Sequence, residues 1–241
     1  MGNYKAKILV LVEGSRTDMR LMNHIFETYE IDAKYEIVSY NTNIYVLYNE
    51  MFYEGKPGDM DILQMLRACE QDESRKQIFD QDYTDIVLIF DLDPQDPQFT
   101  YDKITAMVDH FTESTDMGKL YLNYPMVEAF YHMTKIPDHD YNNRTVFLSE
   151  LINHTYKSRV NTENRNRDYS KFAVTREECT IVIKQNIEKS CFIVNGVSDC
   201  ALPEPSLILS KQIEMLSNHQ KMHVLCTCVF FVADYDIKLL K

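Results

Sequence analysis

The chain has 241 residues, 45% of them hydrophobic and 26% charged, with a formal net charge of -12 at pH 7. This length allows one large domain or a core with an added lobe, and the composition is that of a soluble globular protein. The negative balance argues against a protein that coats nucleic acid by bulk electrostatics, whereas an enzyme that cuts it needs only a local basic path.

Taken in order, "MGNYKA" starts Met-Gly, but Ala6 stands where myristoylation favours Ser or Thr, and no signal peptide is visible. "KILVLVEGSRTD" then carries five apolar residues, Ile8 to Val12, that predict a buried strand ending on Glu13 and Gly14. Leu21, Met22, Ile25, Phe26 and Tyr29 recur at helical spacing, with Thr17 or Asp18 as the N-cap. "YEIVSY" predicts a second strand, and Ile44, Leu47, Tyr48 and Met51 a second helix that the "GKPGD" turn breaks. "DMDILQMLRACEQ" predicts another helix, "DIVLIFDLDP" a strong strand and "YDKITAMVDHF" a helix. "KLYLNY" follows as a strand, and Pro125 opens "PMVEAFYHM" as a helix.

Strand and helix alternate through residues 1–135, which predicts an α/β core with right-handed crossovers and a mainly parallel sheet flanked by helices. Residues 136–241 read as a mostly helical C-terminal lobe. It ends in a helix pair from Ser206 to Leu240 whose second half, from Met222 to Tyr235, is apolar almost all round. "VLCTCVFFVA" is about half the ~20 residues a membrane-spanning helix needs, so no membrane is expected. Cys69, Cys179, Cys191, Cys200, Cys226 and Cys228 form no CxxC pair and no zinc spacing, which fits a reducing cytoplasm with most of them as small core residues.

Two core strands therefore end on acids. Asp91 and Asp93 are two apart, so in an extended strand both carboxylates project to one face. Parallel strands bring their carboxyl ends to one edge, where open α/β sheets bind ligands, so Glu13 joins them if its strand is a neighbour. Three carboxylates together repel unless a cation sits among them, and hard oxygen ligands suit Mg²⁺ or Mn²⁺. The plainer reading is that each acid merely starts a loop.

"LVEGSRTD" followed by "IFDLDP" resembles the Toprim pattern, with Glu-Gly after the first strand and Asp-x-Asp after a later one. The similarity is closest to the OLD-type, RloB-type and related anti-phage nucleases. It covers about half the chain, with Asp18 where those proteins carry Glu. "NYPMVEAF" matches at Glu128 their helical Glu. The resemblance implies that Glu13, Asp91 and Asp93 hold the metal and carry catalysis, with Asp18 and Glu128 supporting a second ion or the first shell. It further implies a cytoplasmic, metal-dependent endonuclease cleaving DNA or RNA, an effector of abortive infection restrained or triggered by an ATPase. This chain has no G-x-x-x-x-G-K-[ST], so that P-loop ATPase is a separate partner, and a second copy of the chain is a further candidate.

The other class of reading is a Toprim-like module that binds nucleic acid or a partner without cutting. "FDLDP" is also similar to the haloacid-dehalogenase phosphatase motif, except that Gln95 stands where Thr or Val belongs. Lys157, Arg159, Arg165, Arg167 and Lys171, interleaved with Tyr156, Tyr169 and Phe172, form a candidate phosphate track with stacking rings or else a solvated face. His132 reads as packed rather than catalytic.

Overall fold

The computed structural model describes residues 6–31 and 33–241, so the Met1-Gly2 start lies outside the described residues. Strand β1 (Lys7–Val12) buries Ile8 to Val12 completely. Such a strand has no solvent face and needs no polar alternation. Helix α1 (Thr17–Thr28) turns Leu21, Met22, Ile25 and Phe26 inward, and β2 (Lys34–Ser39) runs parallel to β1. Helix α2 (Ile44–Met51) starts where the Asn43 side chain accepts the backbone N–H groups of Tyr45 and Val46. A hairpin of β3 (Phe52–Tyr53) and β4 (Lys56–Pro57) leads to α3 (Ile62–Cys69) and α4 (Glu73–Phe79), capped by Asp61 and Asp72.

Strand β5 (Asp85–Asp91), helix α5 (Tyr101–His110), the short β6 (Thr112–Glu113) and β7 (Gly118–Asn123) complete the main sheet. Its order is β2-β1-β5-β7-β6, with the first four strands parallel and β6 an antiparallel edge. The architecture is thus α/β with a mainly parallel five-stranded sheet. Glu13, Asp91 and Asn123 leave three adjacent parallel strands at one carboxyl edge.

Beyond β7 the structure departs from two expectations. "PMVEAFYHM" forms only a five-residue 3-10 helix, Val127–Tyr131, rather than an α-helix. Every residue from Tyr124 to Met133 is buried, so the segment has no solvent face for an amphipathic helix to present. The expected second C-terminal helix is also absent from Met222 onward. Helix α6 (Leu148–Ile152) follows β8 (Thr145–Phe147), and then come α7 (Tyr156–Glu163), α8 (Arg176–Asn195) and α9 (Pro205–His219). The chain then extends as β9 (Lys221–His223), antiparallel to β8, and recoils only at α10 (Phe231–Asp236).

Nonlocal pairing explains the change. Leu225 exchanges backbone hydrogen bonds with Tyr124 at 2.8 and 2.9 Å, and the Val224 N–H reaches the Arg144 carbonyl at 3.1 Å. Buried backbone groups are satisfied there without a helix. Phe231 stacks on Phe26 with centroids 5.0 Å apart, while Phe230 lines a cavity with Tyr124 and Ile208. One apolar core runs from Ile8 to Leu240, across residue 135. Cys191 and Cys200 form a disulfide, which no spacing rule announced, while Cys179, Cys226 and Cys228 are buried free thiols. Among the described residues, no helix is long and apolar enough to cross a membrane.

Candidate functional site

Glu13 sits one residue past β1 yet remains in the sheet: its N–H donates to the Ile89 carbonyl, and its carbonyl accepts from Asn41, both at 3.0 Å. Its carboxylate accepts the Asp91 backbone N–H at 3.0 Å. Gly14 then allows α1 to begin close by, since a Cβ there would lie 2.6 Å from Asp18 Oδ2. Asp18 occupies the first turn of α1, where a carboxylate complements the helix dipole, and is buried.

Asp91 ends β5 in the interior, its Oδ1 accepting from Asn123 Nδ2 at 3.2 Å. Asp93 corrects the extended-strand geometry. The strand stops at Asp91, and Asp93 has a φ of 40°, in the left-handed region that Asp tolerates better than most residues. The two acids therefore reach the edge from a strand end and a turn. The Tyr45 hydroxyl donates to the Leu92 carbonyl and braces that turn. Glu128, on the 3-10 turn, is buried and faces Lys157, whose Nζ lies 3.0 Å from its Oε1.

These five carboxylates act on one another. Burial pushes Glu13 up to about 8, with the charges of Asp93 and Asp18 adding to it and the Asp91 N–H opposing it. Burial likewise pushes Asp18 up to about 6, with Glu128 adding. Asp91 is raised well above the carboxylate range by burial and then by Glu13, Asp18, Asp93 and Glu128. Asp93 is raised by burial against the hydrogen bond from Gln95 and the charge of Lys157. Asp18 Oδ1, Asp93 Oδ1 and Glu128 Oε2 are buried with no hydrogen-bond partner among the described residues.

Buried, unpartnered carboxylate oxygens in a repelling cluster are the donor set a hard divalent cation satisfies, so the residues present fit Mg²⁺ or Mn²⁺. Among the described residues, no three His, Cys, Asp or Glu groups already stand around one point as a metal would need. Binding an ion through three of these acids thus calls for side-chain rotation.

The basic segment is largely taken up by internal carboxylates. Arg159 pairs with Glu150 at 3.1 Å and Glu163 at 2.9 Å, Arg165 with Glu178 at 2.7 Å and Lys171 with Asp168 at 3.3 Å. Arg167 has no ion pair among the described residues and takes a φ of 54°. Lys157 belongs to the acidic cluster, with its side chain 61% exposed. His132 is packed away from that cluster between the Tyr156 hydroxyl and Glu163, and burial pulls it down to about 4.

Sequence reasoning missed Asn123. It is fully buried, and while Nδ2 holds Asp91, its Oδ1 accepts the N–H groups of Thr227 and Cys228, both at 3.2 Å. The available signal was an amide ending a core strand beside two that end on acids. Comparison with protein-family models, with curated proteins and with solved structures returns no match for this chain.

Proposed function

We propose that the chain is a metal-dependent phosphodiester hydrolase of the Toprim type that cleaves nucleic acid. Residues 1–135 would be its catalytic core, and the helices of 136–241 its covering lobe. The observation that carries this reading is the five-carboxylate cluster at the carboxyl edge, with three buried oxygens that lack partners.

Glu13, Asp91 and Asp93 would hold Mg²⁺ or Mn²⁺, with Asp18 and Glu128 supporting the first shell or a second ion. Such a cation supplies Lewis acidity toward a phosphodiester and lowers the pKa of an attacking water. The chain's own residues do the rest. Asn123 fixes the Asp91 carboxylate, and the Asp91 N–H fixes Glu13. Lys157, held on Glu128 and open to solvent, can donate to a phosphate oxygen entering over the acids. The resemblance to anti-phage Toprim proteins adds a role as a defence effector controlled by a separate P-loop ATPase.

The test is cleavage of tRNA, plasmid and single-stranded DNA with Mg²⁺ or Mn²⁺, by the parent and by Glu13→Gln. Metal-dependent cleavage lost in the variant supports the reading. Equal cleavage by both proteins, or cleavage that persists in EDTA, overturns it.

A further inference from the structure

A cavity of about 160 Å³ has walls that include Arg20, His24, Phe130, Tyr131, Tyr169 and Phe172. It shares two elements with the carboxylates. Arg20 follows Asp18 on α1, and Phe130 and Tyr131 follow Glu128 on the 3-10 turn. The walls are largely aromatic and mutually braced. The Tyr169 ring stacks on Tyr131 at 4.1 Å and 9°, and Phe130 meets Phe172 edge-on at 5.7 Å.

Two polar groups of the lining stand out. Arg20 is exposed and has no ion pair among the described residues, although the chain is strongly acidic. The Tyr169 hydroxyl is buried and has no hydrogen-bond partner among the described residues. His24, by contrast, is engaged: its ring meets the Ala173 carbonyl at 2.8 Å and fixes the Tyr169 segment to α1.

We propose that this cavity is a subsite for one unstacked nucleobase of a single-stranded substrate, with Arg20 holding that nucleotide's phosphate. The proposal rests on the nuclease reading above and narrows its substrate to strands with unpaired bases. Size supports it, because the cavity is well under the roughly 300 Å³ at which drug-sized pockets begin and suits one planar ring system. A base inside a duplex keeps its faces stacked and cannot enter, whereas an unpaired base can stack on tyrosine. Arg20, the exposed cation of the lining, would hold that phosphate.

The chain contains no Trp, so Tyr169→Trp makes the cavity the single source of indole fluorescence. The variant is titrated in EDTA, where metal-dependent cleavage is silent, after circular dichroism has matched its fold to the parent. The probes are single-stranded RNA and DNA oligonucleotides, an abasic oligomer of equal length, a blunt duplex and adenosine monophosphate. Quenching by a single strand, with little from the abasic oligomer or the duplex, is expected. In the otherwise native chain, Tyr169→Ala should weaken single-strand binding about tenfold. Arg20→Gln, an exposed change that spares the core, should lower the log–log salt slope by about 0.7.

No quenching by either single strand, equal quenching by the abasic oligomer or duplex, or an unchanged salt slope in Arg20→Gln overturns the subsite. Quenching by the mononucleotide as tight as by the strand also overturns it, in favour of a free-nucleotide site. Wild-type cleavage without quenching rejects the subsite alone. Quenching without cleavage rejects the nuclease reading alone.

Discussion

The Glu13 carboxylate accepts the Asp91 backbone N–H at 3.0 Å, so an acid at the end of one core strand is held by the main chain of its parallel neighbour. The contact separates what Glu13 does for the fold from what its charge does. A glutamine can accept the same N–H without the charge that burial penalises.

Glu13→Gln should therefore fold and melt no lower than the parent at about pH 8, while metal-dependent cleavage falls. Outer-shell partners of metals already cost about 10–100-fold when lost, so a ligand should cost at least that. Thermal melts beside cleavage rates check the pair of outcomes. A variant that loses stability and activity together would show Glu13 to be structural.

The raised acids also set a pH dependence. Glu13 moves from its usual 4.5 to about 8 and Asp18 from 3.8 to about 6, so the folded chain binds protons more tightly than the unfolded one. The stability they contribute is fully present below their unfolded values and is lost as pH rises through about 6 and then about 8. In EDTA, the melting temperature should fall across this window. Mn²⁺ should raise it more at the alkaline end, where no proton competes for the carboxylates. Melts in EDTA and in Mn²⁺ across the window measure both effects, and equal Mn²⁺ shifts at its two ends would contradict the cluster as a cation site.

Asn123→Ala strips the partner from Asp91 and from the buried N–H groups of Thr227 and Cys228. Each orphaned group costs about 1–3 kcal/mol, so a loss of roughly 3 kcal/mol or more is expected. Urea denaturation gives the number. A change under about 1 kcal/mol would mean that water replaces the amide.

Phe231→Ala removes a ring that stacks on Phe26 at 5.0 Å and is 5% exposed. Core Phe truncations cost about 3–5 kcal/mol, and the same is expected here. If the variant keeps its stability but changes its mass in sedimentation, the Phe231 face serves another chain instead of this core.

The central strands were legible because Ile8–Val12 and Ile86–Phe90 are buried on both faces and read as uninterrupted apolar runs. The two strand ends could be nominated because each acid closes such a run, whereas Asp18 and Glu128 were reached only through the resemblance to the Toprim pattern. The C-terminal segment was not legible. Met222 to Val232 is apolar on all sides, which fits a buried helix or a buried strand equally well. Its pairing with Thr145–Phe147 and Tyr124 lies far away in sequence. The turn at Asp93 was hidden for a related reason. Periodicity describes a strand only while it lasts, and this one ends at Asp91.

The Asn123 clamp spans 104 and 105 positions to reach Thr227 and Cys228. A ribosome releases the chain from its N terminus, so all five acids emerge long before those two amides do. The sheet can pair and collapse early and bring Asn123 to Asp91, but Asn123 Oδ1 finds its two donors only after residue 228 is free. The side chain that holds Asp91 is thus itself anchored only once a segment 104 to 105 positions downstream has been made.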